Sequence, residues 1–197
     1  MMQARISACV IAFNAERSIA PCLASLALCD ELIVVDAHST DRTREIARAH
    51  GARVIERDSA CDRTLNRFAV NAASHDWILS LAAGERLTAE LAAAIVRAKI
   101  HGIGVCSAYE MRIHATCPGN VPHGDSSSAA REVRLFDRRR AAFGSGEIPD
   151  RVITYGPVGR LKGNVLHESG RDFDRQVSKL GRNATLHPAW RFLRAHL

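Results

Sequence analysis

Over the first hundred residues the apolar positions follow two rhythms that alternate. Short continuous runs at 6–12, 31–36, 53–56 and 77–81 are rich in Val, Ile, Leu and Ala, and have the length of buried strands. Between them, residues 17–28 place Ile19, Leu23 and Leu26 at helical spacing. Residues 42–50 form a second helical stretch, with Ser39-Thr40-Asp41 before it as capping residues and Gly51 as its stop. Residues 62–73 and 88–99 are helical as well. Strands separated by helices of about ten residues predict βαβ units, and hence a mostly parallel sheet with helices on both faces. Ligands of such sheets bind beyond the carboxyl ends of the strands. That rule singles out Phe13-Asn14-Ala15-Glu16, Asp36-Ala37-His38-Ser39, Arg57-Asp58 and Ala82-Ala83-Gly84-Glu85.

Past residue 100 the rhythm changes. Residues 105–113 alternate like a strand, 114–130 are a Gly-, Pro- and Ser-rich loop, and 132–136 are a strand. A second loop covers 142–157 and a last strand 161–167, followed by a basic, loosely amphipathic helical stretch interrupted at Asn183 and Pro188. The reading is one α/β domain over 1–170 and a basic helical tail over 171–197. With 197 residues, 47% of them hydrophobic but only 5% aromatic, the core must be aliphatic.

The net charge of +6 is concentrated after Arg131, which suits phosphate-bearing ligands or an anionic membrane surface. In the tail, Arg171, Arg175, Lys179 and Arg182 interleave with Phe173, Val177 and Leu180, a pattern for lying along such a surface or packing on the domain. No DNA- or RNA-binding signature accompanies the charge, so nucleic acid is not an expected partner. The six cysteines form no CxxC pair and read as reduced thiols, which points to the cytoplasm. No apolar run approaches the ~18 residues of a membrane span.

Three groups of residues, in this order and spacing, resemble the family 2 glycosyltransferases of GT-A fold. They are Phe13-Asn14-Ala15-Glu16, then Val34-Val35-Asp36 with Ser39-Thr40-Asp41-Arg42-Thr43, then Asp76-Trp77-Ile78-Leu79-Ser80-Leu81 with Glu85. With Arg134-Leu135-Phe136 and the stretch around His167, the chain is similar to the branch that builds the lipopolysaccharide inner core and related surface glycans. Asp36, at a strand end, is suited to accept the imide N–H of a uracil ring, or else to cap a turn. The resemblance implies that Phe13, Asn14, Glu16 and Ser39 line the nucleotide, although Asn14, Glu16 and Ser39 also read as ordinary capping residues. It also implies that Glu85, Arg134 and His167 stand at the sugar and diphosphate.

The sequence departs from the family in three places. The Asp-x-Asp pair that ordinarily holds Mg²⁺ or Mn²⁺ is replaced by Ala82-Ala83-Gly84, which leaves Glu85 and His167 as a poor residual pair for a hard ion. The His-Glu pair bearing the general base becomes Pro149-Asp150, so Asp150, or else Glu147, is the candidate base, unless both only cap a loop or pair with Arg151. The tail around Trp190 resembles a motif that lies farther along in longer relatives. Two functions remain open. One is an inverting hexosyltransferase carrying sugar from a UDP-linked donor to a core-oligosaccharide or lipid-linked acceptor, cytoplasmic and peripheral on the inner membrane face. The other is a catalytically impaired relative that binds a nucleotide-sugar or a protein partner.

Overall fold

The structure is a computed structural model and describes residues 4–57, 65–116, 130–144 and 151–168. The tail from 171 and the candidates Glu147 and Asp150 lie outside the described residues. The first half runs β1 (Ile6–Ala12), α1 (Ile19–Ser25), β2 (Glu31–Asp36), α2 (Thr43–Ala49), β3 (Arg53–Glu56), α3 (Leu65–Ala72), β4 (Trp77–Ala82), β5 (Glu85–Leu87) and α4 (Ala89–His101). A 3₁₀ turn at Ile103–Val105 leads to β6 (Ala108–Thr116), β7 (Ala130–Asp137), β8 (Ala141–Phe143), β9 (Val152–Thr154) and β10 (Val158–Glu168).

Eight strands form one sheet in the order β3-β2-β1-β4-β7-β6-β10-β5. The pairings β3-β2, β2-β1, β1-β4 and β6-β10 are parallel, while β7 is antiparallel to both β4 and β6, and β5 to β10. Strand β1 shows why its run reads as continuously apolar. Ile6, Ala8, Val10 and Ala12 enter a cluster with Ile19 and Leu23 of α1 and Leu91 and Ile95 of α4, while Cys9 faces Ala69 of α3. Both faces are covered, so the run is apolar apart from Ser7, which is buried with its hydroxyl on Glu31.

Helices α1 and α2 come out shorter than expected, whereas α4 runs on to His101. Helix α1 ends at Ser25 because the next turn tightens to i→i−3 bonds, Leu26 N–H to Leu23 O and Cys29 N–H to Leu26 O. Helix α4 begins at its N-cap Thr88, whose hydroxyl accepts the Leu91 amide, and stops at Gly102 with φ 119°. Thr88 also joins α4 to β10: its Oγ1 accepts Asn164 N–H at 3.1 Å, and its own N–H reaches Asn164 O at 3.0 Å. The neighbouring Gly163, at φ 98°, passes so close to the Leu91 backbone that a Cβ would collide with it.

Three strands escape the sequence pattern. Residues 142–157, expected as loop, contain the antiparallel pair β8-β9. Gly144, Gly146, Pro149, Gly156 and Pro157 mask three-residue strands that owe their place to tertiary contact, chiefly Phe143 edge-on to Phe136 with ring centroids 5.6 Å apart. Strand β5 is likewise too short to read. The expected strand at 105–113 instead starts at Ala108 and continues to Thr116.

The most consequential feature is a curl. Strands β4 and β5 are joined by Ala83 and Gly84 alone, yet β7, β6 and β10 lie between them in the sheet. Four strand spacings would span roughly 19 Å if flat, whereas three peptide links reach at most about 11 Å. The second half of the sheet therefore bends back on itself. Four of the six cysteines are described, Cys9, Cys22, Cys29 and Cys106, and all are free thiols, as expected. Burial pushes Cys9, Cys22 and Cys29 up to about 12, so they pack as apolar side chains. No helix among the described residues is long and apolar enough to cross a membrane.

At the amino end of the sheet, Glu31 ties three segments together. It accepts the Ser7 hydroxyl at 2.5 Å, the Ser74 amide at 2.8 Å and hydroxyl at 2.9 Å, and an Arg53 N–H at 3.1 Å. Partial burial would raise its carboxyl, but the hydrogen bonds from Ser7, Ser74 and Arg53 prevail and hold it at about 2. A folded value depressed from 4.5 contributes stability that is present above the unfolded value and lost as pH falls toward 2. Glu31→Gln should therefore cost about 1–2 kcal/mol at pH 7 and close to nothing near pH 2, measured by urea unfolding at both. Phe136→Ala, which empties a fully buried site against Phe143, should cost about 3–5 kcal/mol in the same assay.

Candidate functional site

The carboxyl ends of β1, β2 and β4 finish level, with Ala12 beside Asp36 and Ile11 beside Ala82. The loops that leave them form the rim anticipated from the sequence. Two groups of polar residues stand there, linked by α1.

The first group is a clasp between the loop after β1 and the loop after β2. Three successive amides of the first loop donate to three side chains of the second: Asn14 N–H to Ser39 Oγ at 2.9 Å, Ala15 N–H to Thr43 Oγ1 at 2.7 Å, and Glu16 N–H to Asp41 Oδ2 at 3.1 Å. The contacts are reciprocated, since Asn14 Oδ1 accepts Thr40 N–H at 2.8 Å and Glu16 Oε2 accepts Arg42 N–H at 3.3 Å. Asn14 (φ 45°) and His38 (φ 58°) both take left-handed backbone. Asn enters that region more readily than most residues and here satisfies the opposing amide with its side chain. Partial burial would raise Asp41, but the Thr43 hydroxyl and amide and the Glu16 amide outweigh it and hold the carboxyl below its ordinary value.

Asp36 lies beneath the clasp. Its side chain is fully buried, Oδ1 accepts the Ser39 hydroxyl, Oδ2 accepts the Ser39 amide at 2.9 Å, and Arg44 Nε lies 3.8 Å from Oδ2. The structure displays the turn-capping alternative for this carboxylate, with both oxygens turned inward onto the loop they organise. Ser39, 2% exposed, is buried with it, whereas Asn14 is half-buried, Glu16 exposed and Phe13 half-buried at the end of β1. Of the residues expected at a nucleotide, Phe13, Asn14 and Glu16 remain accessible, and Asp36 and Ser39 do not.

The second group joins residues that are far apart in sequence. Glu85, 3% exposed at the start of β5, accepts Arg134 Nη2 at 2.7 Å on Oε1 and the Ala82 amide at 2.8 Å on Oε2. His167 of β10 pairs directly with Glu85 in the ladder, and its Nδ1 lies 3.8 Å from Oε1. Glu132 approaches the same Arg134 nitrogen at 3.0 Å. The three residues expected at sugar and diphosphate thus do converge, carried together by the curl. Glu132 is the member that the sequence reading missed. Its spacing of two from Arg134 on a strand, which puts both on one face, is the signal that was available.

Helix α1 spans the two groups. Its first turn hangs from Ala15 O, and Cys22 Sγ lies 3.7 Å from Ala82 O. A shallow pocket between α1 and the β4-β5 turn is lined by Ser18, Pro21, Cys22, Gly84 and Glu85. Among the described residues no cluster of three His, Cys, Asp or Glu side chains is arranged to hold a metal ion. The residual pair Glu85 and His167 does not fit a hard dication either, because the Glu85 carboxylate is already committed to a guanidinium and an amide.

Residues 7–96 match the family model described as Glycosyl transferase family 2. Over 186 residues the chain is 28% identical to an uncharacterized glycosyltransferase of Rickettsia typhi, covering 89% of this chain and 64% of that protein. It therefore spans slightly less than two thirds of that relative's length. It is 26% identical over 194 residues to the lipopolysaccharide core biosynthesis glycosyltransferase LpsC of Rhizobium meliloti, covering 92% of this chain and 69% of LpsC. Among solved structures, S. aureus TarS 1-349 in complex with UDP-GlcNAc superposes with a TM-score of 0.56 at 16% identity, over 94% of this chain and 68% of that one. A likeness at that identity speaks for the fold.

The clasp makes a local prediction. Ser39→Ala removes the acceptor for Asn14 N–H and one donor to buried Asp36. Amide hydrogen exchange at Asn14 and Ala15 should accelerate by one to two orders of magnitude, the size of about 1–3 kcal/mol for unsatisfied buried groups, while amides of β6 and β7 stay unchanged.

Proposed function

We propose that this chain, whose residues 7–96 match the glycosyl transferase family 2 model and whose fold is that of the GT-A enzymes, is a family 2 glycosyltransferase that transfers a hexose from a UDP-linked donor to a lipopolysaccharide-core or lipid-linked glycan with inversion at the anomeric carbon. The observation that carries the reading is the convergence of Glu85, Arg134 and His167 beside the level ends of β1, β2 and β4. It puts charged and hydrogen-bonding groups from three distant segments next to the rim where sheets of this kind hold ligands. The names of LpsC and of the TarS complex with UDP-GlcNAc support the acceptor class and the donor class respectively.

In this reading the nucleotide lies over Phe13, Asn14 and Glu16, and Asp36 acts through Ser39, holding the two loops in register. Asp150 is the base: it takes the proton of the acceptor hydroxyl as that oxygen bonds to the anomeric carbon and the bond to the UDP oxygen breaks. Association with an anionic membrane surface through the basic tail belongs to the same proposal.

The impaired-relative reading is favoured by one observation, the absence of carboxylates at Ala82 and Gly84. A single set of measurements separates the two. Calorimetric titration with UDP and UDP-glucose should give saturable binding, and donor consumption with a core-oligosaccharide acceptor should follow. Asp150→Asn keeps the side-chain shape and removes basicity, so turnover should fall by ~10²–10⁴ with UDP affinity unchanged. Binding without turnover in the wild type would select the impaired relative, and absence of binding would retire both.

A further inference from the structure

The family resemblance implies a divalent cation, and the described residues at the end of β4 do not fit one. What stands in its place is specific. A single nitrogen, Arg134 Nη2, lies 2.7 Å from Glu85 Oε1 and 3.0 Å from Glu132 Oε2, bridging two carboxylates as an ion would. The Arg134 side chain is about four-fifths buried, and its Nε has no hydrogen-bond partner among the described residues. Glu85 in turn holds the Ala82 amide, so the charge is fastened to the turn that carries Ala82 and Gly84. The register adds to this. Leu135 of β7 faces Leu79 of β4, so Arg134 leaves the ladder two residues before Ala82, and Glu85 links it to the Ala82 amide. An Arg is suited to the position because it keeps its charge at any working pH and offers several donors in a fixed plane, so that bridging two carboxylates does not exhaust it.

We infer that Arg134 is the resident cation of this cleft, seated between Glu85 and Glu132 in place of a divalent metal, and that a nucleoside diphosphate binds here without one. The second half of this statement rests on the donor reading given above; the first does not. Removing the guanidinium leaves Glu85 and Glu132 facing each other with His167 beside them, an oxygen-rich set with one imidazole, of the kind that Mn²⁺ accepts. A metal between Glu85 and Glu132 and the Arg134 guanidinium are therefore mutually exclusive.

The experiment titrates Mn²⁺ into the full chain, following free Mn²⁺ by electron paramagnetic resonance, and titrates UDP by calorimetry with EDTA or with Mn²⁺. Wild type should bind no Mn²⁺ at millimolar concentration and should bind UDP equally in both buffers. Arg134→Gln should gain Mn²⁺ binding and lose on the order of tenfold or more in UDP affinity in EDTA, the effect of a lost charge-assisted contact. Arg134→Lys, which keeps the charge, should still exclude Mn²⁺. Circular dichroism checks folding, and Arg134→Met is the second neutral variant should the Gln variant not fold. Millimolar Mn²⁺ binding by the wild type overturns the inference, as does UDP binding that requires Mn²⁺, or unchanged UDP affinity in a folded neutral variant. If wild type binds no UDP while the Mn²⁺ pattern holds, the donor reading fails and the resident cation stands.

Discussion

Two residues, Ala83 and Gly84, join the central strand β4 to the edge strand β5, and the geometry of the candidate site follows from that short connection. Three other strands lie between β4 and β5 in the sheet, so the connection is possible only if the sheet curls until its far edge returns to the end of β4. The curl delivers His167 and Arg134 to Glu85. Burial makes the meeting consequential. A carboxylate 3% exposed must be paired, and the guanidinium that pairs it is held in turn by Glu132. Charge, position and strand path are therefore not independent features: losing the pairing would leave an unpaired charge at the point where the sheet closes.

The two polar groups at the rim differ in kind. The clasp is hydrogen bonding between two loops, largely amide to side chain, and it sets how the backbone leaves β1 and β2. The Glu85 group is ionic and joins strands. Asp36 illustrates how one residue type serves different ends. Buried and turned inward onto Ser39, it shapes the loop that leaves β2. The accessible groups of the first loop, Asn14 and Glu16, owe their presentation to it at one remove.

What the amino-acid order determined by itself is the parallel half of the fold. The runs at 6–12, 31–36 and 53–56 are the strands observed, and β4 is longer than expected by only Ala82. Their sides are both packed, so hydrophobicity is continuous and local, and the carboxyl-end rule then located the rim. Glu85, Arg134 and His167 were also named from sequence, on motif resemblance. Tertiary structure decided the rest. It paired β5 with β10 and β8 with β9, and the three-residue strands β5, β8 and β9 draw their stability from partners and not from their own pattern. It turned Asp36 inward, because whether a carboxylate at a strand end faces a ligand or its own loop depends on which amides lie within reach. And it brought Glu132 and Arg134 to Glu85, since only a closed strand path tells which charges at separations of about fifty residues share one site.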